Sequence, residues 1–395
     1  MPISNRVKTG LERGSWIRKM FEEGDRLKAK LGADNVYDFS LGNPFGEPPP
    51  EFLNELKNLV NNPTPGMHRY MPNAGFVETR EAIAKVLAED SGMDFKWNNI
   101  VMTCGAGGGL NVVLKTLIDP GDEVIVLTPF FVEYRFYIDN HGGVCREVPT
   151  DKKFDIDLER LNQAITSKTR AIIINSPNNP TGVVYSLKSL EGLAGLLRKK
   201  EKELGTVVYV VSDEPYKKLV YDGIYPPNVF KLIDNSIAVT SHSKDISIPG
   251  ERIGYIAVNP IAADLQDLMN GLTFCNRIIG FVNAPALMQR VVARLQKVCV
   301  NVNDYQEKRD LFYNSLTEMG YQMVKPQGAF YLFPKSPIED DVAFVREAQK
   351  KNILIVPGSG FGTPGYFRIA YCVEKKAIEN SLQGFRELAK EHGLG

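Results

Sequence analysis

The hydrophobic residues of this chain change their spacing along its length. Between residues 15 and 31, Trp16, Ile17, Met20, Phe21, Leu27 and Leu31 recur at helical intervals among charges, which predicts an amphipathic helix. Proline- and glycine-rich punctuation follows at 42–50 and 61–75. Beyond residue 79 the spacing alternates, with a helix at 80–90, a short strand at 99–102 and a glycine-opened helix at 105–118. Four apolar, β-branched runs come next, at 124–127, 171–174, 207–211 and 237–240, separated by segments such as the helical 188–204. Continuous apolar runs between helices are what a parallel sheet requires when helices cover both of its faces. The expected fold class is therefore α/β, a three-layer arrangement around an open, mostly parallel sheet. After residue 280 the pattern changes. Residues 280–318 read as one long helix or two in series, and strand-like pieces at 329–333 and 367–371 mix with helices. This predicts a second, smaller α+β domain.

Composition narrows the function. A chain of 395 residues that is 43% hydrophobic buries a large core and has room for two domains. Lys+Arg and Asp+Glu are both 47, so the formal net charge is zero, which gives neither a nucleic-acid footprint nor a membrane-binding surface. No apolar run approaches the roughly 20 residues that span a bilayer. Residues 1–6 lack the apolar core of a signal peptide, so a cytoplasmic location is expected. The cysteines, Cys104, Cys145, Cys275, Cys299 and Cys372, are scattered, odd in number and form no CxxC pair. The histidines lack ligand spacing such as HExxH, and no metal site is expected.

In open α/β sheets, ligands bind beyond the carboxyl ends of the strands. The first run is followed by Thr128-Pro129-Phe130-Phe131, and the second by Asn175 through Gly182, which includes Asn178-Asn179-Pro180. The third leads into Ser212-Asp213-Glu214-Pro215-Tyr216, and the fourth into Ser241-His242-Ser243-Lys244. One sheet edge would thus gather an aromatic plate, an amide, a carboxylate, a phenol and an amine. A lysine this close to a buried strand end is open to desolvation, which lowers its pKa and makes it a nucleophile suited to Schiff-base chemistry. The plainer alternative is a solvated loop lysine. Gly105-Ala106-Gly107-Gly108-Gly109 joins a strand to a helix, where backbone amides and the helix N-terminus favour an anion. A tight-packing turn is the equal alternative, because the run is neither a GxGxxG fingerprint nor a P-loop. Arg252, with Ser241 and Ser243, would complete a phosphate cup.

Taken together and in order, these segments resemble the class I/II aminotransferases, the fold type I enzymes that use pyridoxal 5'-phosphate. The most specific pieces are Ser241-x-Ser243-Lys244 followed by Pro249-Gly250-x-Arg252-x-Gly254-Tyr255, then Asn178-Asn179-Pro180-Thr181-Gly182, then Asp213-Glu214-x-Tyr216. Gly42-Asn43-Pro44, Tyr70 with Gly75, 119–124, 357–362 and Arg368 add to them, and the resemblance covers nearly the whole chain.

The resemblance implies an aspartate aminotransferase-like fold. Residues 48–284 would be the large cofactor domain, and 1–47 plus 285–395 a small domain able to close over substrate, with the helix at 15–31 and the loop at 358–362 as moving parts. It implies that Lys244 holds the cofactor as an internal aldimine and later moves the substrate α-proton. Asp213 would pair with the pyridine nitrogen, keeping the ring an electron sink; a helix N-cap is its alternative role. Asn179 and Tyr216 would bind the cofactor's 3'-oxygen, although Asn179 also suits a turn. Phe131 would stack on the ring unless it is plain core. Gly105, Ala106, Gly107, Ser241, Ser243 and Arg252 would hold the phosphate. Tyr70 would reach the cofactor of a neighbouring subunit, implying a homodimer, or else be a packed surface aromatic. Arg368 would clamp the substrate carboxylate, helped by Gly42 and Asn179, or form a structural ion pair.

The expected reaction moves an amino group from an L-amino acid to a 2-oxo acid, 2-oxoglutarate by analogy, with aspartate the leading donor. The glycine turn lacks the basic residue that some relatives favouring aspartate carry, so a distal-carboxylate partner, if present, would come from elsewhere, such as Arg6, Arg69 or Arg277. A β-elimination lyase on the same fold is the alternative, and a non-catalytic sensor protein a more distant one.

Overall fold

Strand Glu123–Thr128 is buried along its whole length, which fits its uninterrupted apolar sequence. Ile125 and Leu127 enter one hydrophobic core, while Val124 and Val126 enter another on the opposite face. Ile172 and Ile174 divide from Ala171 and Ile173 in the same way. An apolar run here records two covered faces rather than one.

The computed structural model describes residues 3–13 and 15–394, without side chains at 12–22 and 33. Seven strands form the central sheet: β1 (Ile100–Thr103), β2 (Glu123–Thr128), β3 (Val144–Pro149), β4 (Thr169–Asn175), β5 (Tyr209–Asp213), β6 (Ser236–Ser241) and β7 (Gly254–Val258). Their order is β1-β7-β6-β5-β4-β2-β3. All neighbours are parallel except β7, which runs antiparallel to both β1 and β6. Helices Val77–Ser91 and Leu187–Leu204 contribute to the core on one face, and Gly105–Leu117 and Leu265–Ile278 to the core on the other.

Some details depart from the sequence expectation. β3 is an edge strand with mostly exposed or half-exposed side chains, so it carries no apolar run to announce it. β7 lies inside the motif that follows Lys244. The run at 207–211 becomes the strand Tyr209–Asp213, which makes Asp213 the last strand residue rather than a helix cap. Residues 280–318 contain two helices, Ala286–Ala293 and Val302–Glu318. The expected strand at 329–333 is ordered as β8 only over Tyr331–Leu332.

A separate core gathers Phe39, Phe312, Phe344, Phe367 and Phe385. Beside it, β9 (Val356–Pro357), β10 (Phe367–Ala370) and β8 form a small antiparallel sheet in the order β9-β10-β8. The pairing of Ala370 with Tyr331 places Arg368 and Tyr331 on adjacent strands. Helix Ala286–Ala293 packs against the central sheet through Met288, Val291 and Val292, not against this second core. Among the described residues no helix is long and apolar enough to cross a membrane.

Candidate active site

The parallel strands deliver their carboxyl ends to one edge, and the chemistry is concentrated there. Asn175 closes β4 and lies in register with Asp213, which closes β5, while Ser241 closes β6 in register with Gly254 of β7. Glycine is required at 254 because a β-carbon would press on the Thr240 carbonyl and the Gly105 backbone. This close approach sets the start of helix Gly105–Leu117 directly against the strand that ends at Ser241, just ahead of Lys244.

A cavity of about 300 Å³ opens at this edge. Gly42, Ala106, Gly107, Phe131, Asn179, Asp213, Tyr216, Ser241, Ser243, Lys244, Arg252 and Arg368 all line it. They come from widely separated parts of the sequence, and the topology brings them together. Gly105 stands just behind the lining. Its φ of 70° is left-handed, and a β-carbon there would meet the Arg252 guanidinium at 2.8 Å. Tyr70 is elsewhere: it is 89% exposed and borders a different cavity with Arg69 and Asn283. None of the three candidates for a distal-carboxylate cation lines the main cavity. Arg6 pairs with Asp139 at the surface, Arg69 accompanies Tyr70, and Arg277 lies over Phe274.

Lys244 sits on the short helix His242–Asp245, and its Nζ donates to the Gly42 carbonyl at 2.6 Å. Burial lowers its pKa to about 8, and the positive charges of Arg252 and Arg368 act in the same direction. The helix is pinned from below. Asp245 contacts His242 Nδ1 at 3.1 Å and accepts from Lys218 Nζ at 2.9 Å. Burial alone would raise the Asp245 carboxyl, but these two partners outweigh it and hold the group at about 2.

Asp213 is in the opposite position. Burial raises it to about 7, against the opposing effect of a 2.6 Å hydrogen bond from the Tyr134 hydroxyl. That bond occupies Oδ2, and Oδ1 is buried without a partner among the described residues. Arg368 shows the complementary deficiency. Its Nη1 donates to Asn179 Oδ1 at 3.1 Å and its Nη2 to the Ser40 carbonyl at 2.5 Å, but Nε has no acceptor among the described residues. The rings of Tyr331 and Phe361 each lie 4.7 Å from its guanidinium carbon. Of the twelve buried side-chain polar atoms without a partner among the described residues, these are the two on residues that line the cavity, which fits a ligand donor at one and a ligand acceptor at the other.

The residues present fit pyridoxal phosphate. Asp213 Oδ1 can accept from a ring N–H, and Lys244 offers an amine for an aldehyde. The first-turn amides of Ala106 and Gly107 have no intrahelical partner and line the cavity with Ser241, Ser243 and Arg252, groups that would hold a phosphate. Ser241 donates to Ser243 at 3.2 Å, so the two hydroxyls already lie together. Arg368 and the cavity it faces suit a substrate carboxylate.

Sequence reasoning missed several lining groups. Tyr137 lines the cavity and Tyr134 stands behind it as the donor to Asp213; both follow Phe131 at intervals of three into helix Glu133–Asn140, a periodicity that would have revealed them. Asn175 donates through Nδ2 to the Asp213 carbonyl at 2.8 Å, fixing the strand end. Glu133 also lines the cavity, and burial raises its carboxyl. Tyr331 hydrogen-bonds Tyr216, a partner more than a hundred residues away, and no local pattern signals it.

Comparison with known proteins agrees with this geometry. The family described as "Aminotransferase class I and II" matches residues 34–385. A solved structure of an amino transferase from Eubacterium rectale has a TM-score of 0.96 to this chain and is 40% identical, covering 99% of each chain. A probable aspartate aminotransferase of Methanocaldococcus jannaschii is 33% identical over 98% of this chain and 99% of its own length. An aromatic-amino-acid aminotransferase of Thermococcus litoralis is 30% identical, with both chains covered in full. On the fold, the cavity and these relatives together, the chain belongs to the class I and II aminotransferases, with pyridoxal 5'-phosphate as its cofactor.

Proposed function

We propose that this aminotransferase takes its amino group from an aspartate-type L-amino acid and passes it to 2-oxoglutarate, with the roles divided as follows. Arg368 binds the substrate α-carboxylate as a charge-assisted fork, with Asn179 and the Gly42 backbone beside it. Lys244 supplies the amine that holds the cofactor and afterwards moves the substrate α-proton. Asp213 keeps the ring nitrogen protonated, Tyr216 and Asn179 address the ring oxygen, and Phe131 covers the ring face. Gly105, Ala106, Gly107, Ser241, Ser243 and Arg252 hold the phosphate. When bound, the cofactor supplies the electron sink that lets the α-carbon lose its proton. The observation that carries this reading is the pair of unpartnered buried atoms, Asp213 Oδ1 and Arg368 Nε, on residues of the cavity that holds Lys244.

The aspartate preference is carried by relatives named for aspartate. One observation favours a second reading, an aromatic donor. The cations among the described lining residues are Lys244, Arg252 and Arg368, all with other assignments, whereas Phe131, Tyr137 and Tyr331 also line the cavity. A panel of aspartate, phenylalanine, tyrosine and alanine with 2-oxoglutarate separates the two. Release of pyruvate and ammonia without a 2-oxo acid would instead support a β-elimination lyase.

We further propose a cytoplasmic homodimer in which exposed Tyr70 serves the partner's site. For the domains we propose 48–284 as the cofactor unit and 1–47 with 285–395 as the closing unit. Helix Ala286–Ala293 is the exception within 285–395: its buried face belongs to the sheet's core, so it would move with the cofactor unit. The hinge would then fall at 294–301, where Val300 N donates to the Asp245 carbonyl.

A further inference from the structure

Tyr331 stands where the cofactor side and the substrate side of the cavity meet. Its hydroxyl is 2.8 Å from that of Tyr216. Its ring covers the Arg368 guanidinium at 4.7 Å. A β-carbon on Gly42 would fall on the Tyr331 hydroxyl, so the glycine is what admits the phenol at this point. The Gly42 carbonyl in turn accepts from Lys244. Tyr331 therefore touches Tyr216, Arg368 and Gly42 at once, while its strand, β8, pairs with the strand of Arg368.

A phenol has one proton to donate. Beside the Tyr331 hydroxyl lies the Gly42 α-carbon, which accepts nothing, and Tyr216 is its hydrogen-bond partner among the described residues. If Tyr216 donated to Tyr331, the Tyr331 proton would have no protein acceptor. In the reverse direction the Tyr216 proton has none either; both phenols line the cavity, and the direction that serves a ligand on the Tyr216 side has Tyr331 donating to Tyr216 and Tyr216 donating into the cavity. Edge-to-face contacts of the Tyr216 ring with Phe330 and Tyr331, at 5.4 and 5.7 Å, hold the Tyr216 ring in place.

We propose that Tyr331 is a positioning residue for aminotransfer: its hydroxyl fixes the direction of the Tyr216 proton toward the ring oxygen of the cofactor, and its ring holds the Arg368 fork in the plane that receives the substrate carboxylate. The proposal rests on the aminotransferase reading of this cavity. Neither the Asn-Pro, Asp-x-x-Tyr nor Ser-x-Ser-Lys segment contains Tyr331, and its contribution passes through Tyr216 and Arg368.

The test uses the cofactor-loaded enzyme and reads the absorbance of the bound cofactor as a function of pH. Tyr331→Phe keeps the ring and removes the hydroxyl. It is expected to move the titration midpoint upward by about 0.5–1 pH unit, the worth of one hydrogen bond, because a less well-stabilised ring oxygen retains its shared proton. In a Tyr216→Phe background the same change should add no shift, since the route through Tyr216 is gone. Tyr321→Phe, which deletes a buried phenol bond to the Phe385 carbonyl elsewhere, should leave the midpoint in place. Tyr331→Leu, which also removes the ring, should raise the donor KM roughly tenfold, as expected for a lost cation–π face. An unmoved midpoint in Tyr331→Phe, or an equal shift in the Tyr216→Phe background, overturns the proposal. A wild-type protein with no pH-dependent cofactor absorbance would instead overturn the functional reading beneath it.

Discussion

The hydroxyl of Tyr134 donates to Oδ2 of Asp213 at 2.6 Å and leaves Oδ1 buried and without a partner among the described residues. One carboxylate is thereby half-satisfied by the protein and half-reserved. Without a positive partner, burial raises its pKa to about 7, well above the ~3.9 of an unfolded chain. Between these values the folded protein binds a proton that the unfolded chain has released, so the group costs stability as pH rises from about 4 to 7.

It follows that cofactor-free Asp213→Asn should become progressively more stable than the cofactor-free wild type over that pH window. The difference at pH 8 should reach at most roughly 3–4 kcal/mol. Denaturant unfolding at pH 4.5 and pH 8 measures it, and a pH-independent difference would show that Asp213 is not held in this state. The same variant, once loaded with cofactor, should lose most of its activity, because an amide cannot keep the ring nitrogen protonated.

Arg368 depends on shape as well as charge. Its two aromatic neighbours and its bonds to Asn179 and Ser40 fix a planar fork. Arg368→Lys keeps the charge but loses the fork, so the donor KM should rise by about 10- to 100-fold, corresponding to roughly 1.4–2.8 kcal/mol, with a smaller change in kcat. Steady-state kinetics with a single donor checks this, and an unchanged KM would remove Arg368 from the substrate site.

Gly254 joins the sheet edge to the glycine turn. A β-carbon there meets backbone on both sides, the Thr240 carbonyl and Gly105, and neither can swing away as a flexible side chain would. Gly254→Ala should destabilise the protein by about 2–4 kcal/mol and weaken cofactor binding together with it. Gly223, which has open space around it, offers a contrast, although its own positive φ adds strain to any substitution. Thermal unfolding of the two alanine variants decides whether the crowding at Gly254 matters beyond backbone conformation.

The sequence was most legible where local pattern and chemistry coincide. The apolar runs announced four of the parallel strands because burial on both faces leaves no polar positions to interrupt them. The residues placed at the ends of those runs line one cavity, because parallel strands send their carboxyl ends to one side. β3 escaped notice because an edge strand with Arg146 and Glu147 outward has no apolar signature. Tyr331 escaped for a different reason. Its partners are Tyr216 and Arg368, and only the meeting of β8 with β10 and with the sheet edge brings them together. Tyr70 was legible as a motif residue, but one chain alone leaves it on the surface.

Every role assigned at the cavity depends on Lys244 being the amine that holds the cofactor. Borohydride reduction of the loaded enzyme, followed by proteolysis and mass spectrometry, tests it most directly. A single reduced pyridoxyl adduct is expected on Lys244, absent from Lys244→Ala, whose cofactor should be removable by dialysis. An adduct on any other lysine of the wild-type enzyme, with Lys244 unmodified, would contradict it.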